Sequence, residues 1–133
     1  MRSRLPVLRQ RRRYMVFVLE SEDDSGMVQA RDLMGEIASS QLSLFGDSGA
    51  AANRLRLISF DGQIGLIRFS HQHLVETRAA LAAVSSIRGI KAAIRTKGVS
   101  GTIKSAREKY LPRLVKLSFE SDGRRIEQKD ISG

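Results

Sequence analysis

Two histidines, His71 and His73, are the only imidazole groups in this chain of 133 residues. On a β-strand, side chains two positions apart face the same side, so these two rings could bind one metal ion. No cluster of carboxylates lies near them in the sequence to complete a coordination shell. A polar junction between a strand and a helix is therefore the favoured interpretation, and a metal site is the weaker alternative.

A second group of possible metal ligands is the acidic cluster at Glu20, Glu22, Asp23 and Asp24. Carboxylates bind divalent cations, but this spacing lacks the alternation of a calcium-binding loop. Acidic residues are also favourable at the start of a helix, because the helix N-terminus carries partial positive charge. We therefore interpret this cluster as the end of a strand and the approach to a helix.

Gly98 and Gly101 bracket a possible turn between Lys97 and Lys104, and the backbone N–H groups of such a turn could bind a phosphate. The sequence contains neither the glycine pattern of dinucleotide-binding folds nor that of P-loops, so the turn is a weak sign of nucleotide chemistry. The absence of cysteine excludes thiol nucleophiles, cysteine-ligated zinc and disulfides. We accordingly predict no catalytic residue and no metal site in this chain.

Positive charge is concentrated in two segments of the chain, which carries 23 lysines and arginines against 14 acidic residues. Residues 1–13 contain six arginines and no acid, and residues 86–116 contain nine basic residues and one acid. Clustered cations are typical of proteins that bind a polyanion, because each phosphate that they neutralise releases counterions. A nucleic acid is favoured over the alternatives, an acidic protein or a membrane surface.

The spacing of apolar residues indicates the elements that must position these groups. In order, it predicts a strand over 13–19, a helix over 27–45 capped by Asp24 or Ser25, a hairpin of strands over 55–60 and 64–70, a helix over 72–87, a strand over 90–97 and a helix over 103–114. Gly46 and Gly49 should end the first helix, with a short helical turn over 50–53.

This β-α-β-β-α-β order, followed by a helix, is that of the split β-α-β folds, ferredoxin-like or RRM-like. Such an α+β fold has an antiparallel four-stranded sheet with helices on one face. We expect the additional C-terminal helix to cover the other face, because the first strand is apolar on both of its sides.

With 5% aromatic residues and no tryptophan, the sheet lacks the aromatic rings on which RRM domains stack bases. Recognition should then use phosphates, 2′-hydroxyls and the shape of a structured RNA. The expected organisation is a basic flexible arm over 1–12, a single α+β RNA-binding domain over 13–119 and a flexible tail over 120–133. The longest apolar run, Met15 to Leu19, is too short to span a membrane, so we expect a soluble cytoplasmic protein.

Two stretches of the chain resemble the archaeal and eukaryotic ribonuclease P protein component 2 family. They are Arg-Arg-Tyr-Met-Val-Phe over 12–17 and Gly-Val-Ser-Gly-Thr-Ile-Lys-Ser-Ala-Arg-Glu-Lys-Tyr-Leu over 98–111. The second stretch is the more specific. Together with the order of elements, the resemblance covers most of residues 12–111.

The resemblance implies a noncatalytic RNA-binding subunit of ribonuclease P, the ribonucleoprotein endonuclease that removes the 5′ leader of precursor tRNA. In that family the RNA and its Mg²⁺ ions perform the hydrolysis, so no cofactor bound by this chain is expected. The implied partners are the catalytic RNA, the ribonuclease P protein component 3, with which two pairs can form a heterotetramer, and other ribonuclease P proteins. Precursor tRNA is the implied substrate of the holoenzyme.

The resemblance also marks residues for RNA contact, to which charge and strand register add two more. The motif residues are Arg12, Arg13, Lys97, Ser100, Thr102, Lys104 and Arg107, and the added ones are Lys91 and Arg95. Two surfaces remain open for the protein partner: the sheet edge, or the first helix with Leu33, Ile37 and Leu44.

Two other functions are compatible with the residues. A stand-alone RNA-binding or ribosome-associated module could use the same fold, since fold alone does not determine function. A metal-dependent nuclease with His71 and His73 as ligands is the weakest alternative. RNA affinity without a protein partner would favour the module, and activity of the protein alone would favour the nuclease.

Overall fold

A computed structural model of the protein describes residues 11–22 and 28–110. Its elements, in chain order, are β1 (Arg12–Ser21), α1 (Ala30–Asn53), β2 (Arg56–Phe60), β3 (Ile64–Ser70), a 3₁₀ turn (His71–His73), α2 (Leu74–Ala82), β4 (Ser86–Ile87) and β5 (Ile90–Ser100). Residues 103–110 form the described part of a further helix, α3. The predicted segments beyond residue 110 lie outside the described residues.

The strands form one antiparallel sheet in the order β2-β3-β1-β5-β4. The predicted α+β class and the antiparallel sheet are confirmed, but the sheet has five strands rather than four. The additional strand, β4, contains only Ser86 and Ile87, which pair with the start of β5. A two-residue strand has no alternating pattern that a sequence could show.

Helices cover both faces of the sheet, as the two-sided apolar pattern of β1 predicts. On one face, Met15 and Phe17 of β1 pack with Leu33 of α1 and Leu81 of α2 in the main core. On the other face, Val16 contacts the smaller cluster that contains Ala106 of α3. The central strand is therefore enclosed by helices on both of its faces.

Two turns set the register of the strands. Asp61 closes the β2–β3 hairpin, because its carboxylate accepts hydrogen bonds from the backbone N–H groups of Gln63 and Ile64, at 2.8 and 2.6 Å. Arg88 and Gly89 join β4 to β5 with φ angles of 54° and 79°. Two consecutive positive φ angles are typical of a type I′ turn, whose twist matches that of an antiparallel hairpin.

The helices depart from their predicted bounds. The first begins after Gln29, not at residue 27. Its helical geometry breaks at Gly46, where φ is 73°, which confirms the predicted end, and a further helical stretch then runs to Asn53. The second was predicted to reach residue 87 but ends at Ala82, because Val84 and Ile87 are buried in the core and the chain turns at Arg88 into β5. The proposed caps Asp24 and Ser25 lie outside the described residues.

The predicted boundary between arm and domain is also shifted. Arg12 belongs to β1 and pairs with Ser70, and the carbonyl of Arg11 accepts a hydrogen bond from His71 N–H at 3.0 Å. The folded domain therefore begins at least by residue 11. In residues 28–110, no helix combines the length and the apolar character needed to cross a membrane.

Candidate nucleic-acid interface

Four chain segments meet at one end of the sheet. The antiparallel pairing places the start of β1 beside the ends of β3 and β5, and the start of β2 beside the end of β3. We call the arginines on these segments the basic edge, and they are Arg11, Arg12, Arg13, Arg54, Arg56 and Arg68. Residues 11–14, 54–57, 67–71 and 98–102, all of which the structure describes, include no acid. Local repulsion between the arginines makes this end attractive to an anion.

The arginines of the basic edge lie on both faces of the sheet. Arg13 shares a face with Met15 and Ile67 and so lies on the side of α1 and α2. Arg12, Arg56 and Arg68 lie on the side of α3. All six are exposed except Arg68, which is half-buried. The cations therefore surround the end of the sheet rather than forming one flat patch.

The opposite end of the sheet carries a mixed charge. Arg95 forms an ion pair with Glu20, and Arg88 forms one with Asp32 at 3.5 Å. The backbone carbonyl of Lys91 accepts a hydrogen bond from Glu22 N–H at 3.0 Å, which places this lysine beside another acid in the chain. Charges that are already paired attract a polyanion less than the arginines of the basic edge do, since those form no ion pair with any other described residue.

The structure divides the predicted RNA-contact residues into groups. Arg12, Arg13 and Thr102 are exposed at the basic edge, with Lys104 in the first turn of α3 beside them. Lys91 lies at the other end of the sheet, roughly 30 Å from Arg12 along β1. Arg95 lies in the middle of β5 opposite Val18, about 20 Å from Arg12. The nine candidates therefore do not form one patch.

Three further candidates have distinct positions. Lys97 is exposed at a β-bulge near the middle of β5, where the register with β1 shifts by one residue. Arg107 is exposed on α3. Ser100 is only 5% exposed and lies opposite Tyr14 within the sheet, so its side chain is removed from the surface that RNA can reach.

The suggested phosphate-binding turn over 98–101 is not formed as predicted. Gly98 pairs with Val16 as part of β5, and the chain turns only at Gly101 and Thr102. A Cβ atom at residue 98 would overlap the ring of Tyr110 on α3. Gly98 therefore serves close packing of α3 on the sheet rather than anion binding.

Thr102 begins α3 at the basic edge. Its hydroxyl accepts a hydrogen bond from Ser105 N–H, and its carbonyl accepts one from Ala106 N–H, both at 3.0 Å. This is the N-cap arrangement typical of threonine. The positive end of the helix dipole is thus added to the arginines at this end of the sheet.

The two histidines do not form the arrangement that a metal pair would need. They lie in a 3₁₀ turn rather than a strand, and residues two apart on such a turn are separated by about 240° around its axis. The Nδ1 atoms of both rings are buried without a hydrogen-bond partner. In the described part of the chain, no three His, Cys, Asp or Glu side chains are grouped to hold a metal ion.

Reasoning from the sequence missed Arg54, Arg56 and Arg68. These arginines lie in a stretch whose average charge is slightly negative, so counting charge along the chain conceals them. The hairpin pattern predicts that residues near 56 and 68 lie side by side on β2 and β3. The structure pairs Phe60 with Gly65, and a bulge between Leu57 and Ser59 then brings Arg56 opposite Arg68. This bulge has no signal in the sequence.

The exposed apolar side chains of α1 differ from those considered for the protein partner. Leu33 and Ile37 are fully buried in the core and are not available to a partner. Leu42 and Leu44 are 48% and 49% exposed. Leu44 also lines a cleft with Ser43 and with Ser85, which follows α2. Of the helix residues proposed for docking, only Leu44 remains available.

The sequence of this chain is similar to a family of known proteins. Residues 13–111 match the model of the Rpp14/Pop5 family. The chain is 40% identical over 111 residues to ribonuclease P protein component 2 of Methanosarcina acetivorans, covering 84% of this chain and 82% of the relative. It is 38% identical over 106 residues to the component 2 of Archaeoglobus fulgidus, covering 80% and 94% of the two chains.

A solved structure shares the fold at low sequence identity. A chain in the cryo-EM structure of yeast ribonuclease MRP matches with a TM-score of 0.59 and 9% identity, over 86% of this chain and 96% of the other. At this identity the match supports the arrangement of helices and strands alone.

Proposed function

Because this chain belongs to the Rpp14/Pop5 family and is a protein subunit of ribonuclease P, we propose that it supports the catalytic RNA by neutralising phosphates at the basic edge. The observation that carries this proposal is the meeting of six arginines and the N-terminus of α3 at one end of the sheet. The Mg²⁺ ions that hydrolyse precursor tRNA then belong to the RNA. In this role the protein positions an RNA active site and stabilises it electrostatically.

The electrostatics support a role in binding structured RNA. Phosphates of a folded RNA repel one another, and cations placed between them lower the Mg²⁺ concentration at which the fold is stable. The core leaves few aromatic rings for base stacking, since Phe17 and Phe69 are fully buried. Recognition through phosphates and shape is the mode that these side chains favour.

As a subunit of a ribonucleoprotein, the chain has both protein and RNA partners. We propose the ribonuclease P protein component 3 as the direct protein partner, in a heterotetramer of two pairs. Leu44 supports a protein contact on α1, because it is half-exposed at the cleft that it lines with Ser43 and Ser85. Leu42 lies two positions earlier, about 200° around the helix axis, and so faces another direction. The mass of the mixed complex, measured by light scattering, distinguishes one pair from two.

A reconstitution tests the function. Cleavage of precursor tRNA by a cognate ribonuclease P RNA is measured at limiting Mg²⁺ with this protein, with the component 3 protein, with both, and with neither. The expected result is that only the pair raises the cleavage rate and lowers the Mg²⁺ requirement. The protein without RNA should show no cleavage, and activity in that sample would instead support a nuclease.

One result would overturn the proposal in favour of the RNA-binding module. If the pair changes neither the rate nor the Mg²⁺ requirement, while this protein alone still binds the RNA, the chain acts independently of the holoenzyme. A circular dichroism spectrum of each protein sample provides the control that both proteins are folded.

A further inference from the structure

We propose that Arg56 and Arg68 together bind one phosphate of the RNA, an inference that deepens the proposed function and rests on it. The two arginines lie directly opposite each other on β2 and β3. Both side chains are on the α3 side of the sheet, since their neighbours Leu57 and Ile67 face the main core on the other side.

Two like charges in this position are unfavourable without a ligand. Directly opposite residues of an antiparallel pair have Cβ atoms about 5 Å apart, and like charges there destabilise the sheet. The ion pairs of the described residues are Arg88 with Asp32, Arg95 with Glu20, and Lys104 with Glu108. Neither Arg56 nor Arg68 takes part in any of them.

Arg68 also has an unsatisfied donor. Its Nε atom is buried and has no hydrogen-bond partner among the residues that the structure describes. A buried donor on a charged group is costly unless an acceptor reaches it. The residue as a whole is half-buried, so part of its guanidinium remains accessible beside the exposed Arg56. An acceptor that approaches from the α3 side can contact both side chains.

A phosphodiester fits this pair. Each guanidinium presents a planar set of donors that matches two phosphate oxygens, and one negative charge between two positive charges removes their repulsion. The same row of the sheet continues to Tyr14, which lies opposite Arg68 on β1, and Arg12 follows on the same face. The row therefore holds two cations, and Arg12 adds a third in the next row on the same face. Three cations on one face suit neighbouring phosphates of an RNA strand better than a single carboxylate.

The test measures binding of the cognate ribonuclease P RNA by the assembled protein pair as a function of salt. The variants are Arg56→Gln, Arg68→Gln and the double variant. Arg31→Gln is the matched control, because Arg31 is an exposed arginine at the start of α1 and its replacement removes the same charge away from the basic edge. Each of the two single variants should weaken binding roughly tenfold or more, and the control should not.

The slope of log K against log salt identifies a shared phosphate. Removing the neutralisation of one phosphate reduces the slope by about 0.7–0.9. If both arginines bind the same phosphate, the slope of the double variant should fall by about this amount and no more. A decrease twice as large would mean two separate phosphates and would overturn the shared site. An unchanged slope in all three variants would also overturn it.

Thermal unfolding of the free protein tests the alternative in which the two arginines pair with a carboxylate of this chain. Relief of repulsion predicts that Arg56→Gln unfolds at the same or a higher temperature than the wild type. A lower temperature together with an unchanged RNA slope would show that a carboxylate of this chain is the true partner. Loss of protein-partner binding with an unchanged slope would assign the pair to a protein interface.

Failure of this inference is distinguishable from failure of the proposed function. If only the inference is wrong, the wild-type pair still stimulates cleavage, while the double variant either keeps the wild-type salt slope or loses the slope of two phosphates. If the function is wrong, the wild-type pair itself gives no stimulation in the reconstitution.

Discussion

Asn53 shows how a single buried side chain positions the basic edge. It is 1% exposed at the end of α1, directly before Arg54. Its Oδ1 accepts a hydrogen bond from Ser70 N–H at 3.1 Å, and its Nδ2 donates one to the Thr77 hydroxyl at 2.8 Å. The Thr77 hydroxyl in turn donates to the His73 carbonyl at 2.6 Å. One amide thus joins α1, the end of β3 and α2.

Replacing Asn53 with Ala should lower the free energy of unfolding by about 2–3 kcal/mol, because it leaves the buried Ser70 N–H without an acceptor and removes the hydrogen bond that the Thr77 hydroxyl accepts. Urea denaturation of the free protein measures this change. Ser43→Ala is the control, an exposed polar residue of the same helix, and should change stability by less than about 0.5 kcal/mol. If both substitutions change the free energy of unfolding equally, the hydrogen bonds of Asn53 do not stabilise the fold.

Single residues also show what local spacing can and cannot predict. His71 and His73 lie at the junction between β3 and α2, as the favoured interpretation of the sequence expects, in a 3₁₀ turn that separates the two rings. Ser100 has a residue type and a motif position suited to RNA contact, but burial is decided by neighbours in space, here Tyr14 across the sheet. The burial of Ser100 cannot be read from local spacing.

At the scale of elements, the periodic segments were predictable and the short or close-packed ones were not. The two-sided apolar pattern of β1 correctly indicated a strand covered on both faces. The hairpin at Asp61 and Gly62 was predictable because its turn residues act locally. The early end of α2 was not, since Val84 and Ile87 continue a helical pattern while tertiary packing draws them into the core.

The docking of α3 on the sheet depends on Gly98. A side chain at this position would overlap the Tyr110 ring, so Gly98→Ala should force α3 away from β5. We expect a loss of stability of about 1–3 kcal/mol, typical of overpacking, and faster hydrogen exchange in residues 103–110. Gly101→Ala is the control, because open space surrounds that position. Unchanged exchange in the Gly98 variant would show that α3 does not depend on this close approach.

At the scale of the whole molecule, the fold separates charges that the sequence intermixes. The sequence correctly indicated a strongly basic chain with a polyanion partner, but it grouped Lys91 and Arg95 with Lys104 and Arg107 because they are neighbours in the chain. The fold separates these residues, because β5 runs along the whole sheet. Its first residues lie at the end with mixed charge, and its last residues lie at the basic edge.

This unequal distribution of charge predicts that removing two cations weakens RNA binding more at the basic edge than at the opposite end. The double variant Arg12→Gln with Arg13→Gln should weaken binding of the ribonuclease P RNA and reduce its salt slope by about 0.7–0.9 for each phosphate that is no longer neutralised. Lys91→Gln with Arg95→Gln removes the same formal charge, but Arg95 is already paired with Glu20. This second variant should retain the wild-type slope.

Both double variants have the same net charge, so an effect of total charge would change the two slopes equally. Titrations of the assembled protein pair with the RNA, at several salt concentrations, distinguish the two cases. Equal decreases would show that the protein acts as a diffuse cation and that the end of the sheet has no special role. A larger decrease at Lys91 and Arg95 would place the RNA at the opposite end, in contact with the turn between β4 and β5. The basic edge predicts neither result, because within residues 11–22 and 28–110 its arginines combine mutual repulsion with freedom from acidic neighbours on the segments that carry them, and five of the six are exposed.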